Sequence, residues 1–151
     1  MSPGSRAALV AAGTVAADQA TKALVRATID RGEHVDVILG VDFVNVRNRG
    51  IAFGLFSDGG ALLVVFAALA LAALLVFFTR HRHQRLVWLP TGLLIGGAVG
   101  NLIDRARDGA VTDFIDVSWW PAFNLADTAI TLGVIALLYV LETGHGARRR
   151  D

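Results

Sequence analysis

FNLADTAITLGVIALLYVL, residues 123–141, is the stretch that decides the fold. A helix needs about 20 predominantly apolar residues to cross the roughly 30 Å hydrocarbon layer of a bilayer. This run qualifies apart from Asp127, one turn from its start. Placing an aspartate at mid-membrane costs about 2.5–3.5 kcal/mol, and less near an interface, so an intramembrane acid reads as functional by default. The competing reading is helix capping, but an acid near a helix N-terminus gains only about 0.3–1 kcal/mol from the macrodipole. Asn124 is the better cap, because its side chain can accept a bond from the first free backbone amides. Function is therefore favoured over capping for Asp127.

Three further stretches approach the same length: 7–25, 60–78 and 86–103. Only 60–78 lacks charged and strongly polar residues. With 54% hydrophobic and 18% charged residues in 151, the chain is too apolar for an ordinary soluble domain of this size. The first stretch also imitates a cleaved leader, with Arg6, an apolar run and the small residues Ala16 and Ala17. Its end, DQATK (18–22), carries polar groups that a discarded segment has no use for, so it is read as a spanning helix. A net charge of +1 offers no one-sided basic surface for nucleic acid. The absence of cysteine excludes disulfides, thiolate zinc sites and a cysteine nucleophile.

TRHRHQR (79–85) has three arginines and no acid, and the tail has Arg148, Arg149 and Arg150, so both are placed in the cytoplasm. The connections 26–59 and 104–122, in which acids dilute the arginines, then face outward. Within the first, VDFVNVRN (41–48) alternates at the two-residue period of a strand, and Gly50, Gly54 and Gly59–Gly60 permit tight turns before the second helix. The expected architecture is a single all-α membrane domain, 1–151, with four transmembrane helices and a short β element on the outer face.

Asp18 and Lys22 are four residues apart on one helix face, with Asp18 roughly 18 Å along the axis from Arg6, and read as a structural ion pair in the outer half of the layer. Gly92, Gly96 and Gly100 form a smooth ridge for a neighbouring helix. At its outer end, in GNLIDR (100–105), Asn101 and Arg105 share a face with Asp104 beside them. The plainer alternative there is a polar helix end anchored among headgroups. VTDFIDV (111–117) places Asp113 and Asp116 among apolar neighbours; alternation groups Asp113 with Ile115 and Val117 and sets Asp116 on the other side, without saying which side is inward.

His34, His81, His83 and His145 lie in connections or the tail, on opposite sides of the membrane in this reading, and cannot converge on a metal or serve one base. Ser57 and Ser118 have no evident base, although Lys22 remains available as one. Carboxylates at the outer face are what remain. Two facing carboxylates hold one shared proton, so one serves as base toward an attacking water and the other as acid toward a peptide carbonyl. Such chemistry needs no metal, cofactor or covalent intermediate. The connection between Asp113 and Asp127 is long enough for the two to meet.

DQATK (18–22), NVRNRGIAFGLF (45–56), GGAVGNLIDR (96–105), VTDFIDV (111–117) and FNLADTAI (123–130) together resemble, in order, the signature blocks of bacterial lipoprotein signal peptidase, signal peptidase II. The resemblance implies a four-helix inner-membrane aspartyl protease with both termini cytoplasmic, a β cradle outside and an active site near the outer face. Its substrates would be prolipoproteins bearing a diacylglyceryl group, cleaved before the lipidated cysteine, with membrane lipids as the other partner and a monomer expected. It implies Asp113 and Asp127 as the dyad, with Asn48, Gly50, Asn101, Asp104, Arg105 and Asn124 as support and substrate-binding positions. Asp18 and Lys22 match the family's helix-one pair. Ile51 replaces an alanine of the usual pattern, which alters packing in that loop. Two alternatives belong to other classes: a small transporter, whose acids should be spread along one path, and a non-enzymatic lipoprotein-binding protein.

Overall fold

The computed structural model describes residues 1–38, 40–50, 60–84 and 86–148, with side chains described except at 60–63 and 144–148. The expectations attached to Ile51, Gly54 and Gly59 lie outside the described residues, as do those for Arg149 and Arg150. Helix α1 spans Pro3–Thr28, α2 Gly60–His81, α3 Trp88–Asp108 and α4 Leu125–Arg148. Strands β1 (His34–Ile38) and β2 (Val41–Asn48) lie between α1 and α2, and β3 (Val111–Val117) and β4 (Trp120–Phe123) lie between α3 and α4. The protein is mostly helical, with one small antiparallel sheet in the order β1-β2-β3-β4.

Local signals set the helix ends beyond the limits read from hydropathy. Ser2 caps α1, its Oγ accepting the Ser5 N–H at 3.1 Å, and Pro3 follows where its missing donor costs nothing. Helix α3 does not stop at residue 103 but runs through RARD to Asp108. Arg105 and Arg107 suit the negative end of its dipole, and Gly109 terminates it at φ +66° with its N–H on the Arg105 carbonyl at 3.0 Å. Asp104 and Arg105 are therefore helical residues, not the start of a loop. Phe123 belongs to β4, so α4 begins two residues later than hydropathy suggests.

Two helical segments, Val64–His81 and Leu125–Thr143, are long and apolar enough to cross a membrane. α1 and α3 carry more charge, and much of it is turned inward between them: Lys22 bonds Asn101 at 2.9 Å and Asp104 at 3.1 Å. The glycine ridge explains how these two helices come so close. A Cβ at Gly92 would lie 2.8 Å from the Ala7 carbonyl oxygen, one at Gly96 2.8 Å from that of Ala11, and one at Gly100 2.6 Å from Asp18 Oδ2. The contacts ascend both helices together, so α1 and α3 run parallel. Gly97 and Gly133 do the same for α4, which runs antiparallel: Gly97 meets Ala126 and Ile130, and Gly133 meets Leu94.

Gly97 is the least tolerant of these positions, since a Cβ there would stand 2.5 Å from the Ala126 backbone oxygen. Gly97→Ala is expected to force α4 away and destabilise the protein by about 1–3 kcal/mol. A thermal-unfolding series in detergent checks this, with exposed Gly13→Ala, whose Cβ meets nothing within 4 Å, as the neutral control.

Candidate active site

Asp113 is 2% exposed on β3, opposite Val46 of β2. Its Oδ2 accepts the Asn48 Nδ2–H at 2.9 Å and its Oδ1 the Asn124 Nδ2–H at 2.7 Å. Asn48 is held in turn by the Gly50 N–H, which donates to its Oδ1 at 3.0 Å. Asp127 stands at the third position of α4, half-buried. Its Oδ1 accepts the Asn101 Nδ2–H at 2.8 Å and its Oδ2 the Asn124 backbone N–H at 3.3 Å. The Asp127 N–H returns to Asn124 Oδ1 at 2.9 Å, so the two residues form a reciprocal capping box. Capping and placement at the site are thus not alternatives for Asp127: one carboxylate does both.

Both carboxylates line one cavity of about 310 Å3, together with Asn48, Gly50, Asn101, Arg105 and the β4 wall from Trp120 to Phe123. Among the described residues, Arg105 makes only long bonds, to the Asn101 carbonyl at 3.4 Å and the Gly50 carbonyl at 3.3 Å, which leave most of its five N–H groups for other acceptors. Asn124 is buried beneath the cavity and bridges Asp113, Asn101 (3.1 Å) and Asp127. Burial pushes the Asp113 carboxyl up to about 6. The neighbouring Asp127 carboxylate pushes the same way, while the bonds from Asn48 and Asn124 pull down.

Asp104 is not at the cavity. It is fully buried toward α1, where it receives Lys22, the Gln19 Nε2–H at 3.0 Å and the Thr112 N–H at 3.1 Å. Asp18 and Lys22 form the expected pair at 2.9 Å, both fully buried, and Asp18 Oδ1 also accepts the Ala126 N–H at 3.0 Å in the first turn of α4. Asp116 lies on the other face of β3, opposite Asp42 and 3.7 Å from His34. Gln19, Thr112 and the β4 wall were missed from sequence. Gln19 sits inside the DQATK block beside Asp18, which was its only signal. β4 is too short to show a period.

The fold is a helical scaffold capped by a small antiparallel sheet. Two solved structures described as bacterial membrane enzymes, determined by the in meso method, share it. One has a TM-score of 0.88 at 32% identity over 96% of this chain and 92% of its own, the other 0.81 at 34% over 89% and 91%. The signal peptidase II family model matches residues 10–142. Curated lipoprotein signal peptidases are similar over most of their length. That of Halothermothrix orenii is 40% identical, covering 82% of this chain and 86% of its own. That of Syntrophomonas wolfei is 44% identical, covering 87% and 90%, and that of Burkholderia thailandensis 44%, covering 87% and 84%. The chain belongs to the signal peptidase II family and is a peptidase of that type.

Asn124→Ala removes the α4 cap and the bond to Asp113 Oδ1 at once. The cap is worth about 1 kcal/mol, and an unpaired buried acceptor costs about 1–3 kcal/mol. A lowered unfolding temperature is expected, larger than for Asn48→Ala, which removes no helix cap.

Proposed function

We propose that the chain is a four-span inner-membrane aspartyl endopeptidase that removes signal peptides from diacylglyceryl-modified prolipoproteins, cleaving just before the lipidated cysteine. Asp113 and Asp127 are its dyad. The observation that carries this reading is that the two acids, from a strand and a helix, meet in one cavity with every carboxylate oxygen held by one N–H among the described residues. Each oxygen keeps a lone pair for water or a proton. The substrate class comes from the name that the relatives carry, lipoprotein signal peptidase.

Asp113, the more buried acid and raised to about 6, holds the shared proton and acts as the acid. Asp127, more open to the cavity, takes a proton from water as the water oxygen attacks the peptide carbonyl carbon. Asp113 protonates the carbonyl oxygen. The tetrahedral intermediate then collapses: the C–N bond breaks, the proton on Asp127 passes to the departing nitrogen, and a hydroxyl proton of the intermediate returns to Asp113 as the carboxyl product forms. The unused donors of Arg105 are suited to substrate carbonyls. Beside this cavity lies an apolar groove of about 380 Å3 between α2 and α3, with Leu71, Leu74, Leu94 and Ala98 in its walls. Asn101, Arg105 and Ile130 border both spaces, so an apolar segment or acyl chain in the groove would reach the dyad.

Several features support the membrane topology. Apolar side chains stay exposed along α2 and α4, among them Phe66, Leu69, Leu132 and Leu138, as a face toward lipid requires. The Arg6 guanidinium lies 5.7 Å from the Trp88 ring, which ties the starts of α1 and α3 together on the arginine-rich side, taken as cytoplasmic. Trp119 and Trp120, both exposed and packed edge to face, support reading the opposite end as an outer interface.

The test is cleavage of a diacylglyceryl prolipoprotein by purified protein in detergent, read as the mass lost with the signal peptide. Asp113→Asn and Asp127→Asn should each slow it by about 10²–10⁴-fold. Full activity in both variants sinks the dyad. With chemistry rate-limiting, the rate should follow a bell in pH. Its alkaline limb should lie at or above the pH of about 6 at which Asp113 loses its proton, because the acid form is lost as pH rises. A flat profile from about pH 4 to about pH 9 removes the shared proton.

A further inference from the structure

Three asparagines, Asn48, Asn101 and Asn124, present N–H groups to the dyad. A side-chain amide has two ends, and reversed it would present an oxygen, which favours a protonated acid over a carboxylate. Each amide is therefore held in the donating sense by whatever occupies its own oxygen. For Asn48 that partner is the Gly50 backbone N–H, and for Asn124 it is the Asp127 backbone N–H. Backbone N–H groups can only donate, so those two orientations are fixed by the main chain.

Among the described residues, Asn101 has no such backbone partner for its side-chain oxygen. Its Oδ1 receives the Lys22 ammonium at 2.9 Å and the Asn124 Nδ2–H at 3.1 Å. An ammonium has three donors and no acceptor. The three acceptors around Lys22 are Asp18 at 2.9 Å, Asp104 at 3.1 Å and Asn101, and its side chain is fully buried, so no water competes for these bonds. A reversed Asn101 would set its NH2 against both that ammonium and the Asn124 NH2, and its oxygen against Asp127.

We propose that Lys22 is a positioning residue for the reaction: its ammonium holds the Asn101 amide so that Nδ2–H points at the Asp127 carboxylate. Lys22 itself touches neither Asp113 nor the cavity. The ion pair with Asp18 is thus more than a tie between helices, since the same nitrogen sets the polarity of a hydrogen bond on the far side of α3. Among the described residues, the charged groups around this link are Asp18, Lys22 and Arg26 from α1, Asp104, Arg105 and Arg107 from α3, Asp113 from β3 and Asp127 from α4. The inference rests on the aspartyl reading above.

A double-mutant cycle of Lys22→Met and Asn101→Ala in the cleavage assay tests it, with kcat, KM, pH profile and unfolding temperature measured for each form. Lys22→Met should lower kcat by about 10–100-fold, with KM within about threefold of the parent, and move the acidic limb of the pH profile upward by about one unit. In the Asn101→Ala background, the further shift from Lys22→Met should be markedly smaller, since only the direct effect of the ammonium on the acids is left to lose. If Lys22→Met lowers only the unfolding temperature, the residue is merely structural. If its shift persists undiminished without Asn101, the charge acts through space. Either result overturns the proposal. Should Lys22→Met fail to fold, the double variant Asp18→Asn/Lys22→Met replaces it in the cycle: an asparagine side chain at position 18 can still accept the Ala126 N–H, and no ionised acid is left unpaired there. Loss of cleavage in Asp113→Asn and Asp127→Asn is read separately, so failure of the dyad and failure of this link are distinguishable.

Discussion

The rest of the structure depends on one buried ammonium. Lys22 is surrounded by Asp18 on its own helix and by Asn101 and Asp104 on α3. The two carboxylates among these reach on to the Ala126 N–H of α4 and the Thr112 N–H of β3. Desolvating an ion costs several kcal/mol, and the attraction between partners offsets this only where geometry is good and the remaining lone pairs are filled. Here they are filled by Gln19 and by main-chain N–H groups from two other elements. The ion cluster is therefore satisfied only when α1, α3, β3 and α4 are assembled in one arrangement.

That arrangement requires close approach, and the glycines of α3 allow it. Gly100 leaves room for the Asp18 carboxylate, while Gly92 and Gly96 admit the α1 backbone below it. On the opposite side of α3, Gly97 admits the first turn of α4. The two acids of the cavity are consequently fixed by different means. Asp127 is set by the cap of a helix whose start is pinned by Asp18. Asp113 is set by a strand whose neighbour, Thr112, is pinned by Asp104 and whose partner strand supplies Asn48. Asn124 closes the circuit between them.

Composition and period made the helices and β2 legible, because a long apolar run and alternation in a sheet are properties of consecutive residues. The pairing of Asp18 with Lys22 was legible for the same reason, since a spacing of four on a helix fixes proximity. So was Asn124 as a cap. Helix ends were not. Hydropathy marks where an apolar run stops, whereas α3 continues beyond that point to Asp108, because its last turn is electrostatically favoured and stopped only by a left-handed glycine. Gln19 and β4 escaped because each works through partners remote in sequence.

The sequence by itself determined that segments of this chain suit lipid, that acids sit within or beside apolar runs, and, through its ordered motifs, the family. Only the tertiary structure decided which acids share a space. Asp113 and Asp116 are three apart on a strand and project to opposite faces, and nothing local says which face the helices cover. Packing put Asp113 against Asn124 and Asn48, and left Asp116 beside Asp42 and His34. It likewise turned Asp104 away from Arg105, toward Lys22, because adjacent residues on a helix point about 100° apart and only one of them can face the cavity.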